Sequence, residues 1–247
     1  GAYGGEDLVT QLEERVSQDA ASAGRLTDVF FPEEEFEQDF SNTIGQAYAA
    51  SALDAEGSAL TEPVTEYLLA QQCEEGFFRL DLGATAAATC DADEAAESSV
   101  DVTAIAVLNL QSQTDDADVQ AAVSSALSWL TRVQNGDGSF GSDAQITTAN
   151  ANSTGLAGWA LGEAGAEPSA RSAAIWLRRH QAEAVAGCAT ALDPADGAVA
   201  YDDPAFATGR EAGVTTEVQD QFRRATAQAA PALRYAPADP SFFIDPV

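Results

Sequence analysis

Side chains able to do chemistry are sparse in this sequence. Its one histidine, His180, stands in LRRHQAEAVAGC, and Cys188 follows it by eight residues. The other two cysteines, Cys73 and Cys90, lie far upstream. Zinc sites draw on CxxC or HxxxH pairs, which these spacings do not supply, so no metal ligand is nominated. The acidic runs DADE (91–94) and TDDAD (114–118) fall in polar stretches and read as solvated charge. With neither a GxSxG nucleophile elbow nor a phosphate-binding glycine loop present, no catalytic residue is nominated, and the sequence reads as a non-enzyme. His180, flanked by Arg178 and Arg179, is expected on a helix surface.

The cysteines bear on compartment instead. Cys73 and Cys90 bracket FFRLDLGATAAAT, a stretch that reads as a surface excursion between helices. A disulfide closing it is sterically easy and would stabilise by about 3 kcal/mol in the loop-entropy model; two unpaired thiols are the alternative. Cys188 is then left over, either as a buried thiol or as a residue whose partner lies elsewhere.

The remaining polar candidates come from an internal repeat. Asn42-Thr-Ile-Gly-Gln-Ala47, Asp101-Val-Thr-Ala-Ile-Ala106, Asn152-Ser-Thr-Gly-Leu-Ala157 and Arg224-Ala-Thr-Ala-Gln-Ala229 align without gaps, at intervals of about 50–70 residues. Each opens on a polar residue and runs into small and apolar helix formers. Asn42, Asp101, Asn152 and Arg224 thus share one position, at which Asn and Asp are ordinary helix N-caps. Arg224 cannot cap in that way. It suits an amide, carboxylate or phosphate, or else an ion pair with Asp220 or Glu217 on its own helix. Gln46 and Gln228 share a position one turn further in, and Phe140 and Tyr201 are aromatics near the same ends. These eight residues are the candidate ligand contacts, with helix capping and core packing as the competing roles.

Elements of two kinds must position them. The repeat segments head alanine- and glycine-rich helices (QAYAASAL, AVLNL, AGWALGEAG, AQAAPAL), whose small side chains let helices approach closely. Between them lie amphipathic helices in TEPVTEYLLAQQCEEGFF, ADVQAAVSSALSWLTRVQNGDGSFG and SARSAAIWLRRHQAEAV, the first two ending in Gln, a turn and Gly-Phe or Gly-x-Phe. Asn135-Gly-Asp-Gly is a strong turn signal that pins Phe140 just beyond a helix end. With β alternation hard to find, the class is all-α. Helical hairpins that alternate an inner with an outer helix bury their faces only against neighbours, so they form a solenoid or close into a ring. The reading divides the chain into a partial leading hairpin and loop (1–40), helical-hairpin repeats (41–235) and a C-terminal tail (236–247).

Composition narrows the partners. The chain has 247 residues, 40 acidic and 11 basic side chains, a net charge of −29, 45% hydrophobic content, 52 Ala and no Lys or Met. A chain of this length buries roughly 70–75% of its unfolded surface, enough for a good core. Nucleic acid is excluded as a partner, because phosphate neutralisation needs clustered basic residues, and an anionic membrane is repelled likewise. No stretch approaches the roughly 20 apolar residues of a membrane-spanning helix, and GAYGGEDLVTQLEERV lacks a signal-peptide layout, so a secreted chain would be a mature form.

The Q-x-x-x-G-x-F helix ends and the inner helices resemble the α/α-toroid superfamily of squalene and terpene cyclases, protein prenyltransferase β subunits, complement thioester domains and cobalamin carriers. SVDVTAIAVLNL (99–110) is similar to the S-V-D-T-x-A-M-A-x-L-A-L motif of intrinsic factor and transcobalamin, and NSTGLAGWAL (152–161) to their Y-S-T-G-L-A-M-Q-A-L. Over roughly residues 5–235 the chain looks still more like secreted actinobacterial prenyltransferase/squalene-oxidase-repeat proteins. The resemblance implies an α/α toroid and an extracellular or cell-surface location. It also implies a bound small molecule, with cobalamin the leading ligand and no cofactor required for catalysis.

Such toroids close with about six inner helices, whereas four are recognisable here. Further N-terminal hairpins, a second chain, or an open crescent would account for the difference. The cyclase D-x-D-D cluster, the prenyltransferase zinc ligands and the thioester G-C-G-E-Q are absent, and Trp159 stands where the cobalamin-carrier motif has Gln. A protein-interaction scaffold and, behind it, a terpene-cyclase-like enzyme are the alternatives to a binding protein.

Overall fold

A computed structural model describes residues 2–28, 39–143, 145–183 and 189–238. The chain is all-α, apart from a two-residue hairpin of β1 (Ala2–Tyr3) and β2 (Glu6–Asp7). Nine α-helices are described: α1 (Leu8–Glu13), α2 (Thr43–Ala55), α3 (Thr61–Leu69), α4 (Val100–Leu110), α5 (Ala117–Val133), α6 (Ala151–Glu163), α7 (Glu167–Arg179), α8 (Asp203–Ala212) and α9 (Gln219–Leu233). None of the described helices is long and apolar enough to cross a membrane. Cys188 and residues 239–247 of the tail lie outside the described residues.

Two compact units divide the chain, 1–129 and 130–247, and the division falls inside α5. In the first unit α2 packs on α3 and α4, and α1 packs on α2. In the second, α6 packs on α7 and α9, and α7 on α9. Each unit thus pairs two alanine-rich helices, α2 with α4 and α6 with α9, and backs them with amphipathic ones. Small side chains make this possible: a Cβ on Gly155 would run into the Gln228 carbonyl of α9. Ala47, Ala50, Ala104, Ala106, Ala157, Ala160, Ala225 and Ala229 are fully buried.

One turn recurs between amphipathic and alanine-rich helix. Gln72 pairs with Phe78, Gln181 with Val199, and in the leading segment Val16 with Leu26, each as an isolated antiparallel bridge. Inside the turn sits a glycine with positive φ, such as Gly76 (102°) or Gly138 (95°). A side chain there would be strained, and it would also meet the carbonyl of Ser125 or Ser172 on the next amphipathic helix. A glutamine amide bolts the same turn. Gln72 Nε2 donates to Gly76 O (2.9 Å) and Ala122 O (2.8 Å), and Gln134 Nε2 to Gly138 O (2.9 Å) and Ser169 O (3.0 Å). The Q-x-x-x-G-x-F pattern is therefore a structural bolt. Gln181 makes the same bond to Gly197 O (2.8 Å) across a much longer turn.

The first excursion is closed as expected. Cys73 and Cys90 form a disulfide with Cα atoms 4.9 Å apart. Within it Arg79, buried, donates to Gln71 Oε1 (2.9 Å from Nη2) and pairs with Asp93 (2.9 Å), while Asp91 accepts the Glu74 N–H (3.0 Å). Both aspartates of the DADE run thus hold the loop as well as meeting water.

Candidate functional site

The alanine-rich helices carry the expected residues, with a shift of phase in the first. A side-chain oxygen, near the start of α2, α4 and α6 and in the middle of α9, accepts the backbone N–H of the residue that closes the preceding turn. Thr103 accepts from Phe78 (2.9 Å), Thr154 from Phe140 (2.9 Å), Thr226 from Val199 (2.9 Å) and Gln46 from Leu26 (2.8 Å). This anchor sets the true register. Asp101, Asn152 and Arg224 each lie two residues before it and do share a position, but the first helix has Ile44 there. Asn42 belongs one turn earlier, with Ser99 and Asn150.

Capping follows that register. Asn42 caps α2 by accepting from Gly45 N–H (3.0 Å), Ser99 caps α4 from Val102 (3.3 Å), and Asn150 caps α6 from Ser153 (2.9 Å). The capping role expected for Asp101 and Asn152 is therefore corrected: both stand inside the first turn, half-buried. Arg224 lies in the middle of α9, exposed, and pairs with Asp220 at 3.0 Å, the ion pair anticipated for it.

Gln46 is fully buried, and all of its amide is used. Besides accepting from Leu26, its Nε2 donates to Gly24 O (2.8 Å) and Val64 O (2.9 Å). Those are the bonds that Gln72 and Gln134 make from the turn, where the leading segment has Val16. One side chain thus serves as both anchor and bolt. Phe140 is also fully buried and anchored through its N–H, so its ring packs in the core. Tyr201 packs, partly buried, against the core cluster that includes Trp176, Leu177 and Val199, and its carbonyl accepts from Ala151 N–H (2.7 Å). Gln228 stays half-exposed.

The corrected register marks an equivalent face on each of the four helices. Two residues before the anchor stand Ile44, Asp101, Asn152 and Arg224. Two residues after it stand Tyr48, Ile105, Leu156 and Gln228, and five after it Ser51, Leu108, Trp159 and Pro231. All twelve are half-exposed or exposed, while the anchors themselves are buried except Thr226, which is half-buried. In the second unit two atoms on this face, Asn152 Oδ1 and Gln228 Oε1, are buried acceptors without a hydrogen-bond partner. At Gly155, one turn beyond Asn152, an added Cβ would meet the Gln228 carbonyl of α9. The apolar members, missed when only polar repeats were sought, were signalled by helical spacing alone.

His180 is not on the surface. It ends α7 buried, its ring stacked on Trp176 with centroids 3.8 Å apart. The run of two arginines misled, because the residue after them turns inward under α8.

Acidic side chains gather in one groove of the first unit, about 570 Å³ in volume, where Asp54, Glu62, Glu66, Asp115, Asp116 and Asp118 line the walls. No group of three or more metal-ligating side chains occurs among the described residues. No family model matches the chain, and no curated protein matches it.

Proposed function

We propose that the chain is an extracellular, non-catalytic binding protein that holds a bulky small molecule on the outward face of its alanine-rich helices, within an α/α toroid or an arc of one. The observation that carries this is the equivalent face on each helix. In the first unit it offers Asp101 with Tyr48, Ile105 and Leu108; in the second it offers Asn152 and Arg224 with Leu156 and Trp159, and the unpartnered acceptors Asn152 Oδ1 and Gln228 Oε1. Buried acceptors left unpaired cost free energy that a ligand bearing N–H donors recovers. The Cys73–Cys90 disulfide supports an oxidising compartment.

Resemblance to the cobalamin carriers makes a corrinoid the first ligand to test. Calorimetric titration with cobalamin is expected to show binding without turnover. Asp101→Ala and Asn152→Ala are expected to weaken it by roughly ten- to a hundredfold, the loss of a hydrogen bond to a polar ligand group. Because Ser99 and Asn150 are the caps, these variants keep their helix ends, and the melting temperature should move little. Absence of heat with any corrinoid would overturn the cobalamin reading. The second reading, a scaffold completed by another chain, is favoured by the exposed Phe40, Tyr48 and Leu80 of the first unit.

A further inference from the structure

We infer that His180 and Asp203 form a proton-dependent latch that holds α8 in place within the second unit. Helix α8 lies between the fourth turn and α9, a place where the other repeats have no α-helix among the described residues. Its hold on the fold is thin. Gly209 is its one buried residue, and Ala205 and Phe206 only partly cover a cluster of Ala182, Leu192, Ala200 and Phe222. A groove of about 310 Å³ runs between α8 and α9, with Pro204, Thr208 and Gly209 on one wall and Val218 and Phe222 on the other.

The start of α8 is tied down through the imidazole. His180 Nε2 lies 2.7 Å from Asp203 Oδ1, and the His180 ring sits 5.8 Å from the Phe206 ring. On its other side Nδ1 lies 2.9 Å from the Trp176 carbonyl oxygen. A carbonyl and a carboxylate only accept, so both contacts are hydrogen bonds only when the ring carries both protons. Once one proton leaves, whichever tautomer remains sets a nitrogen lone pair against an oxygen lone pair. Either the tie to Asp203 or the tie to Trp176 turns repulsive.

Other charges on the surrounding elements are occupied elsewhere. Asp202 caps α8 by accepting from Ala205 N–H (2.8 Å), Arg210 lies over the Phe206 ring (6.0 Å), and Arg178 reaches Gln181 and Glu183. Arg179 is exposed. Among the described residues Asp203 is the titratable group bonded to the ring. The latch therefore holds both ties only while the ring is doubly protonated, at acid pH, and loses one of them as pH rises. Release uncovers Leu192 and Phe222 and widens the groove beside them.

His180 is the only histidine in the chain, which makes the test direct. Hydrogen exchange of residues 200–213, corrected for intrinsic rates, is compared at about pH 5 and about pH 8, which bracket the ordinary imidazole range. Protection of α8 is expected to fall about three- to fivefold at the higher pH, the scale of an ion pair whose carboxylate is exposed, while α6 keeps its protection. Asp203→Ala, at an exposed position that leaves the core untouched, is expected to lower α8 protection at about pH 5 to the level the parent shows at about pH 8, and so to abolish the difference between them. A purely structural role for Asp203 at the helix start would lower protection without changing its pH dependence. Equal protection of wild-type α8 at both pH values, or an unaltered pH difference in Asp203→Ala, would overturn the latch.

Discussion

Replacing Gln46 by Leu removes three hydrogen bonds from a fully buried site while nearly keeping side-chain volume. Their costs differ. The Leu26 N–H and the Gly24 carbonyl lose these partners, and each buried orphan costs about 1–3 kcal/mol. Val64 O lies inside α3, where the helix supplies another donor, so its loss counts for little. Burying a Leu in place of an amide returns part of this, leaving a net destabilisation of about 2–4 kcal/mol. In a chain of this size that corresponds to a melting temperature lower by roughly 5–15 °C, readable by circular dichroism. Thr154→Val, which orphans only the Phe140 N–H, should cost about 1–2 kcal/mol. A double variant isolates the reason. Gln46→Thr supplies the hydroxyl used in the other helices but loses the bolt, and adding Val16→Gln restores a bolt from the turn position occupied by Gln72 and Gln181. The pair should therefore be more stable than Gln46→Thr alone. If Gln46→Leu falls within about 0.5 kcal/mol of the parent, or the added Val16→Gln brings no recovery, the anchor-and-bolt account of the repeat is wrong.

Two further expectations follow from the first unit. Burial pushes the Asp39 carboxyl up, but bonds from the Ser41 hydroxyl and N–H, the Arg25 guanidinium and the Asp28 N–H outweigh it and hold the group at about 2, below 3.8. With the folded value below the unfolded one, Asp39 contributes about 2 kcal/mol that is fully present above pH ~4 and lost as pH falls towards ~2. Asp39→Asn should remove that part of the acid limb in denaturant melts between those pH values, and an unchanged limb would refute the assignment. Reducing the Cys73–Cys90 bond should cost about 3 kcal/mol, and a non-reduced digest should yield the two peptides linked; recovery of both as free thiols would contradict the bridge.

Much of this was legible before any coordinates. Alanine-rich and amphipathic segments at helical spacing carried the all-α class, because helix periodicity is a local property of the chain. The Cys73–Cys90 excursion was legible from loop length, and the turn before Phe140 from Asn135-Gly-Asp-Gly. The common register of Asp101, Asn152 and Arg224 was legible too, since a threonine follows each two residues later. What the chain did not reveal was the phase of its first repeat. Asn42 and Asp101 look alike as polar residues ahead of small ones, and only the tertiary bonds from Leu26, Phe78, Phe140 and Val199 show that Gln46 stands where the other helices have Thr. Backbone donors that arrive from a preceding turn leave no mark in the composition of the helix they meet. Burial was decided at the same level. His180 after two arginines reads as surface until α8, more than twenty residues further on, folds over it and brings Asp203 to its ring. Hydrogen-bond partners distant in sequence, rather than local propensity, settled which polar residues hold the fold.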